Sequence, residues 1–163
     1  MLLRSASRND LPYILELERR SWEQGFVGTD DLSVHESRMS DADCRYFVLE
    51  WNGSRAGYAI LRGIASTNRS IELKRIVAAP PGRGIGRAAL EEVLDIAFKE
   101  LSAHRLWLDV YEDNERARHV YRVLGFVEEG TLRECVKTAG GYRSLVVMSL
   151  LEGEYRLRRP AAR

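Results

Sequence analysis

A chain of 163 residues is sized for one compact domain and buries enough surface to need no disulfide or metal staple. Its 25 Lys and Arg nearly balance 24 Asp and Glu, leaving a net charge of +1, which excludes a nucleic-acid binder that relies on a broad basic field. The two cysteines, Cys44 and Cys135, are too few for a disulfide framework and lie in no metal-type spacing, and no apolar run approaches the ~20 residues of a membrane span.

The start turns polar after Met1, Leu2 and Leu3, unlike a secretory leader. A reduced, cytoplasmic protein is the resulting expectation, with no metal, nucleic-acid or membrane partner. Residues 1–155 read as a single domain, and the basic, Pro/Ala-containing residues 156–163 read as a flexible tail.

In chain order, residues 2–6 suit a short strand. Asn9 or Asp10 can cap a following helix, with Pro12 in its first turn. A second short helix is expected at 33–39. Residues 46–51 are β-rich and end at Asn52-Gly53, a hairpin signal, so 55–64 form the returning strand. A third strand at 70–79 stops at Pro80 and Pro81. Leu90, Val93, Leu94, Ala97, Phe98 and Leu101 then form one apolar helical stripe. Residues 105–111 are a strand. Residues 114–124 are a helix closed by Gly125, and β structure resumes at Phe126, with a last strand at 142–151. The central strand–helix–strand unit implies a parallel pair within a mixed sheet.

The turn Gly82-Arg83-Gly84-Ile85-Gly86-Arg87 joins a strand directly to the striped helix. Glycines leave its amides unobstructed, the arginines add charge, and the helix start adds its dipole, so a diphosphate is a suitable guest. A Gly-Lys-Ser/Thr ending is absent, which argues against Mg-ATP chemistry. A dinucleotide fingerprint is a forced fit, because the third glycine is replaced by Ala89.

The run Leu73 to Leu90 resembles the acetyl-CoA loop of the GCN5-related N-acetyltransferases. Downstream, Asn114, Ala117, Tyr121, Gly125 and Phe126 are similar to that family's second signature, at the spacing the family requires. The resemblance implies an α/β (α+β) fold: a mixed, mostly antiparallel sheet of six or seven strands flanked by about four helices. It implies acetyl-CoA as cosubstrate, with the diphosphate held by Gly82, Arg83, Gly84, Ile85, Gly86 and Arg87. The pantetheine arm would lie along Ile76, Val77 and Ala78, where the strand is splayed from its neighbour. Asn114 and Ala117 would meet the pantetheine, and Tyr121 the thioester sulfur. The family's usual Gln or Arg three residues before Gly84 is here Pro81, and a late acidic position of related enzymes is Ser144. Homodimers are common among enzymes of this resemblance.

The implied reaction is direct transfer of an acetyl group to a primary amine, a small molecule or a protein amine. Tyr121 is the candidate general acid for the leaving thiolate, and Glu72 the candidate base, directly or through water. Glu23, Glu50 and Asp109 are weaker base candidates. A backbone N–H near Ile76 or Val77 is a candidate carbonyl polariser. Trp22 and Phe26 are candidates to line the acceptor pocket. His35, His104 and His119 read as surface or capping residues, and Glu16, Glu18, Glu23, Asp30 and Asp31 as a solvated acidic face. Two alternatives stand beside this reading: a non-catalytic acyl-CoA-binding module, and a dinucleotide-dependent oxidoreductase with Asp109 at the ribose. The strand meander before the loop fits the latter poorly.

Overall fold

The structure, a computed structural model, describes residues 2–22, 25 and 28–158. Among these, seven strands form one sheet: β1 Leu2–Ser5, β2 Cys44–Trp51, β3 Ser54–Arg62, β4 Ser70–Ala78, β5 Arg105–Tyr111, β6 Val127–Thr138 and β7 Gly141–Leu151. Their order is β1-β2-β3-β4-β5-β7-β6, with every neighbouring pair antiparallel except β4 and β5. The helices are α1 Leu11–Trp22, α2 Leu32–Met39, α3 Ile85–Asp95, α4 Glu115–Val123 and α5 Glu152–Arg158.

Strand alternation sends side chains to two cores. On one face, Phe47, Leu49, Ala59, Leu61, Ile71, Leu73, Leu106, Leu108 and Val110 pack under the α3 stripe of Ala89, Leu90, Val93 and Leu94, joined by Tyr121 and Leu124 of α4. On the other, Tyr46, Tyr58, Ile60 and Val77 receive Leu11, Ile14 and Leu17 of α1. The α3 stripe continues through a π turn, Ile96–Glu100, in which the Leu101 N–H donates to the Ile96 carbonyl at 2.9 Å.

Two local expectations are corrected. The start of α1 is organised by Ser7 rather than by Asn9 or Asp10 as a cap. A 3-10 turn, Arg8–Asp10, precedes the helix, and the Ser7 N–H donates to the Asp10 carboxylate at 2.9 Å. Residues 156–158 of the expected tail belong to α5, which runs through Arg158 and is held by Tyr155, which stacks on Phe98 at 4.7 Å and donates to Asp95 at 2.5 Å. Residues 159–163 of the expected tail lie outside the described residues. The five helices among the described residues agree with the expected flanking set of about four.

None of the described helices is long and apolar enough to cross a membrane.

Candidate active site

Parallel pairing between β4 and β5 spans only Ser70 with Arg105, Ile71 with Leu106 and Glu72 with Trp107. Beyond it the strands separate, so the β5-facing N–H and C=O groups of residues 73–78 have no ladder partner in β5. An unpaired strand edge facing a gap is a ready partner for an extended amide-bearing ligand. Along its other edge β4 remains paired to β3. Leu73 pairs with Leu61 and Arg75 with Ile60, leaving Lys74 as an extra residue. This bulge explains how Ile71, Leu73 and Ile76 all reach the same core although their spacing is not a strict alternation.

Between the separated strands lies a cavity of about 300 Å³, lined by Leu73, Lys74, Arg75 and Ile76 of β4 and by Asp109, Val110 and Tyr111 of β5. Asn114, Ala117 and Tyr121 of the α4 segment close one side, and Val136 and Leu145 of the β6–β7 hairpin another. The Asn114 side chain caps α4, accepting from the Ala117 N–H at 3.2 Å. That cap fixes the first turn of α4, which in turn aims Tyr121 at the cavity. Tyr121 is 8% exposed, packs against Phe126 at 5.7 Å and is pushed up to about 12 by burial and then by the charge of Asp109. It is therefore a protonated phenol throughout the working pH range.

The loop after β4 is open to solvent. Gly82 and Gly84 have φ of +85° and +75°, where side chains are disfavoured, and a Cβ at either would meet nothing within 4 Å. The first backward helical bond runs from the Ala88 N–H to the Gly84 carbonyl at 3.0 Å, so the amides of Ile85, Gly86 and Arg87 have no intrahelical partner. Gly86 packs close to Ala78: a Cβ there would lie 3.6 Å from the Ala78 Cβ. Free amides and the α3 dipole fit a diphosphate. Arg83 is exposed, and Arg87 makes an exposed pair with Glu91 at 3.4 Å that leaves it free to turn toward an anion.

Of the remaining candidates, Ile76 lines the cavity, Ala78 packs beneath the loop, and Val77 turns into the α1-side core. Glu72 is buried but does not line the cavity. Arg62 holds it at 2.6 Å and Lys74 lies at 3.5 Å. Glu50 pairs with Arg4 at 2.7 Å, on strands remote from the gap. Trp22 is the last residue of α1, while Glu23 and Phe26 lie outside the described residues. Asp109, the weaker candidate, does line the cavity.

The acidic-face and surface-histidine expectations fail at Glu18 and His35, which are 1% and 0% exposed. Glu18 receives the Tyr58 hydroxyl at 2.6 Å and the Arg75 guanidinium, while His35 bridges Tyr46 at 3.0 Å and Glu18 at 3.3 Å. Asp30 pairs with Arg75 at 3.1 Å and with Arg38 at 2.6 Å. Glu18, Asp30 and His35 sit close enough to hold a cation, but the Arg75 guanidinium already supplies that charge. Each buried acid here is matched by an arginine, as a low-dielectric interior demands. This cluster braces the wall of the cavity through Arg75, and no local pattern in the sequence announces it.

Comparison with known proteins matches these features. A sequence model described as the acetyltransferase (GNAT) family matches residues 11–126. Spermidine N(1)-acetyltransferase of Escherichia coli K12 is 32% identical over 163 aligned positions, covering 94% of this chain and 87% of that protein. A crystal structure of spermidine N-acetyltransferase from Vibrio cholerae in complex with CoA and spermine superposes with a TM-score of 0.84, at 29% identity, over 94% of this chain and 96% of that one. A dodecameric structure of the Vibrio cholerae enzyme in an intermediate state gives 0.81, at 28% identity, over 97% of each chain.

Proposed function

The chain belongs to the acetyltransferase (GNAT) family and is an acetyl-CoA-dependent N-acetyltransferase, and from that premise we propose that its acceptor is an aliphatic primary amine of the polyamine class, acetylated by direct attack inside the gap between β4 and β5. The observation that carries the reading is the coincidence of two features. The β4–β5 ladder ends at Glu72 and Trp107, and the protonated phenol of Tyr121 faces the opening. The acceptor class is supported by the names of the relatives, which act on spermidine, and by the spermine bound to one of them.

In this mechanism the amides of residues 82–87 hold the diphosphate of acetyl-CoA, with Arg83 and Arg87 adding charge. The pantetheine arm lies against the free edge of β4 at Ile76, Val77 and Ala78, bounded by Asn114 and Ala117. A backbone N–H at Ile76 or Val77 polarises the thioester carbonyl. The amine nitrogen attacks the carbonyl carbon, and the carbonyl π pair moves to oxygen. As the carbonyl re-forms, the C–S bond breaks with its electron pair on sulfur, Tyr121 gives the sulfur its proton, and the proton shed by the nitrogen restores the phenol. Binding pre-orients both reactants, so no covalent enzyme intermediate is required. The protein works as an oligomer, a reading supported by its likeness to the dodecameric relative.

CoA release from acetyl-CoA with a panel of amines tests the reading. Spermidine and spermine are expected to give the highest kcat/KM, above lysine and above peptide N-termini. A panel in which peptides lead would overturn the acceptor assignment, and release with no amine at all would overturn the reaction.

A further inference from the structure

The described buried carboxylates are neutralised by arginine: Asp10 by Arg4 at 2.8 Å, Glu18 by Arg75 and Glu72 by Arg62 at 2.6 Å. Asp109 departs from this rule. It sits half-buried on β5, two residues past the last pairing with β4, and lines the cavity opposite Lys74 and Arg75. Among the described residues no hydrogen bond or ion pair reaches its carboxylate, which meets only the longer-range fields of Lys74, Glu72 and Arg62. Its charge also extends to the Tyr121 hydroxyl. A desolvated acid left open to a cavity is costly unless a ligand completes it. Among the described residues Asp109 is the one carboxylate on the cavity wall, so a cation is the ligand it suits.

We propose that Asp109 seats the ammonium of the acceptor beside the thioester and takes its first proton. The assignment rests on the N-acetyltransferase reading and deepens it. The ammonium transfers one proton to the Asp109 carboxylate and becomes a neutral nucleophile. Attack forms the C–N bond, and the nitrogen, now positive, loses a second proton. Of the two protons released by nitrogen, one leaves to solvent through Asp109. The other replaces the proton that Tyr121 has given to the departing sulfur. The products are the acetamide, CoA thiol and one solvent proton. Glu72 is poorly suited to this task, since Arg62 and Lys74 hold it away from the cavity. The charged and titratable groups around Asp109 are Glu72, Lys74 and Arg75 from β4, Arg62 from β3 and Tyr121 from α4, Arg75 being taken up by Glu18 and Asp30. Burial pushes Asp109 upward against Lys74, and Glu72 adds to the rise while Arg62 opposes it, which brings the carboxylate toward the basicity a proton acceptor needs.

The test is the pH profile of kcat/KM with spermidine for the wild type, Asp109→Asn and Glu72→Gln, alongside acetyl-CoA affinity by calorimetry. Asp109→Asn is expected to lower kcat/KM by roughly a hundredfold or more and to lose the acidic limb. Its acetyl-CoA affinity should stay within about twofold of wild type, and Glu72→Gln should keep the limb. A turning-over wild type whose limb survives in Asp109→Asn would overturn the assignment alone. A wild type inactive toward every amine would remove the acyl-transfer reading and this assignment together. If Asp109→Asn does not fold, Asp109→Glu replaces it. That longer carboxylate should keep the limb at a kcat/KM about tenfold lower, and undiminished kcat/KM there would count against the proposal.

Discussion

The hydroxyl of Tyr58 donates a 2.6 Å hydrogen bond to the carboxylate of Glu18, joining β3 to α1 across 40 residues of chain. The same carboxylate meets Arg75, so the first helix is tied directly to a wall residue of the cavity. Removing one partner from such a buried pair costs about 3–5 kcal/mol because the other charge is stranded. Glu18→Gln should therefore lower Tm by roughly 6–20 °C in a chain of this size. Differential scanning calorimetry checks this, and a shift under about 2 °C would show that the cluster contributes little.

The same group sets an acid limit. Burial alone would raise the Glu18 carboxyl, but the hydrogen bonds of His35 and Tyr58 and the charge of Arg75 outweigh it and hold it down to about 2, against an ordinary 4.5. A depressed carboxyl contributes stability that is complete above its unfolded value and is lost as pH falls toward its folded value. Tm should thus decline with acidification from pH 4.5 to pH 2, with a shallower decline in Glu18→Gln. Parallel slopes for the two proteins would contradict the linkage.

Tyr121→Phe removes the proton donor while retaining the ring that packs on Phe126. Losing a positioned general acid costs about 10²–10⁴ in rate, so kcat should fall by at least about a hundredfold with acetyl-CoA affinity nearly unchanged. Because the phenol is pushed up to about 12, its deprotonation should produce no alkaline limb below pH 10 in the wild-type profile. Steady-state kinetics over pH 6–10 reads both effects.

Two glycines should separate binding from folding. At Gly84 the chain has φ +75° and open space, so Gly84→Ala carries only the left-handed backbone cost of about 1–2 kcal/mol. It should fold, with a markedly raised KM for acetyl-CoA. At Gly57 a Cβ would stand 2.0 Å from the Val77 carbonyl oxygen, so β3 and β4 must part. Overpacking of this kind adds about 1–3 kcal/mol to the conformational cost, and Gly57→Ala should show its main effect in Tm.

Asn114→Ala removes the side-chain cap at the start of α4, a loss of about 1 kcal/mol. Tm should drop by about 2–4 °C, and KM for acetyl-CoA should rise because Asn114 also lines the cavity. A change in Tm without any change in KM would assign Asn114 to the helix alone.

Much of the frame was legible because it is written in local patterns. The alternation of Leu106, Leu108 and Val110 marks β5, and its bounds of Arg105–Tyr111 agree with the expectation. The α3 stripe and the glycines at 82, 84 and 86 likewise declare a helix and the loop before it. What stayed hidden depends on distant partners. Nothing near Glu18 or His35 predicts burial, since the partners that make it tolerable arrive from β2, β3 and β4. The length of α5 is likewise decided by Phe98 and Asp95 rather than by its own basic sequence. At the site, the family resemblance brought Tyr121 and Glu72 forward together, but only Tyr121 lines the cavity. Arg62 takes up Glu72, a cross-strand contact that local alternation does not reveal.

The brief parallel seam of three residue pairs has a mechanical meaning. On either side of it the sheet consists of strands running in opposite directions, β1 to β4 and β5 to β7, each set knit almost wholly to itself. The two sets are thus stitched at one end like the covers of a book, with the core beneath α3 as the shared spine and the cavity as the crease. The width of that crease is therefore set by how far the strands diverge beyond Glu72 and Trp107.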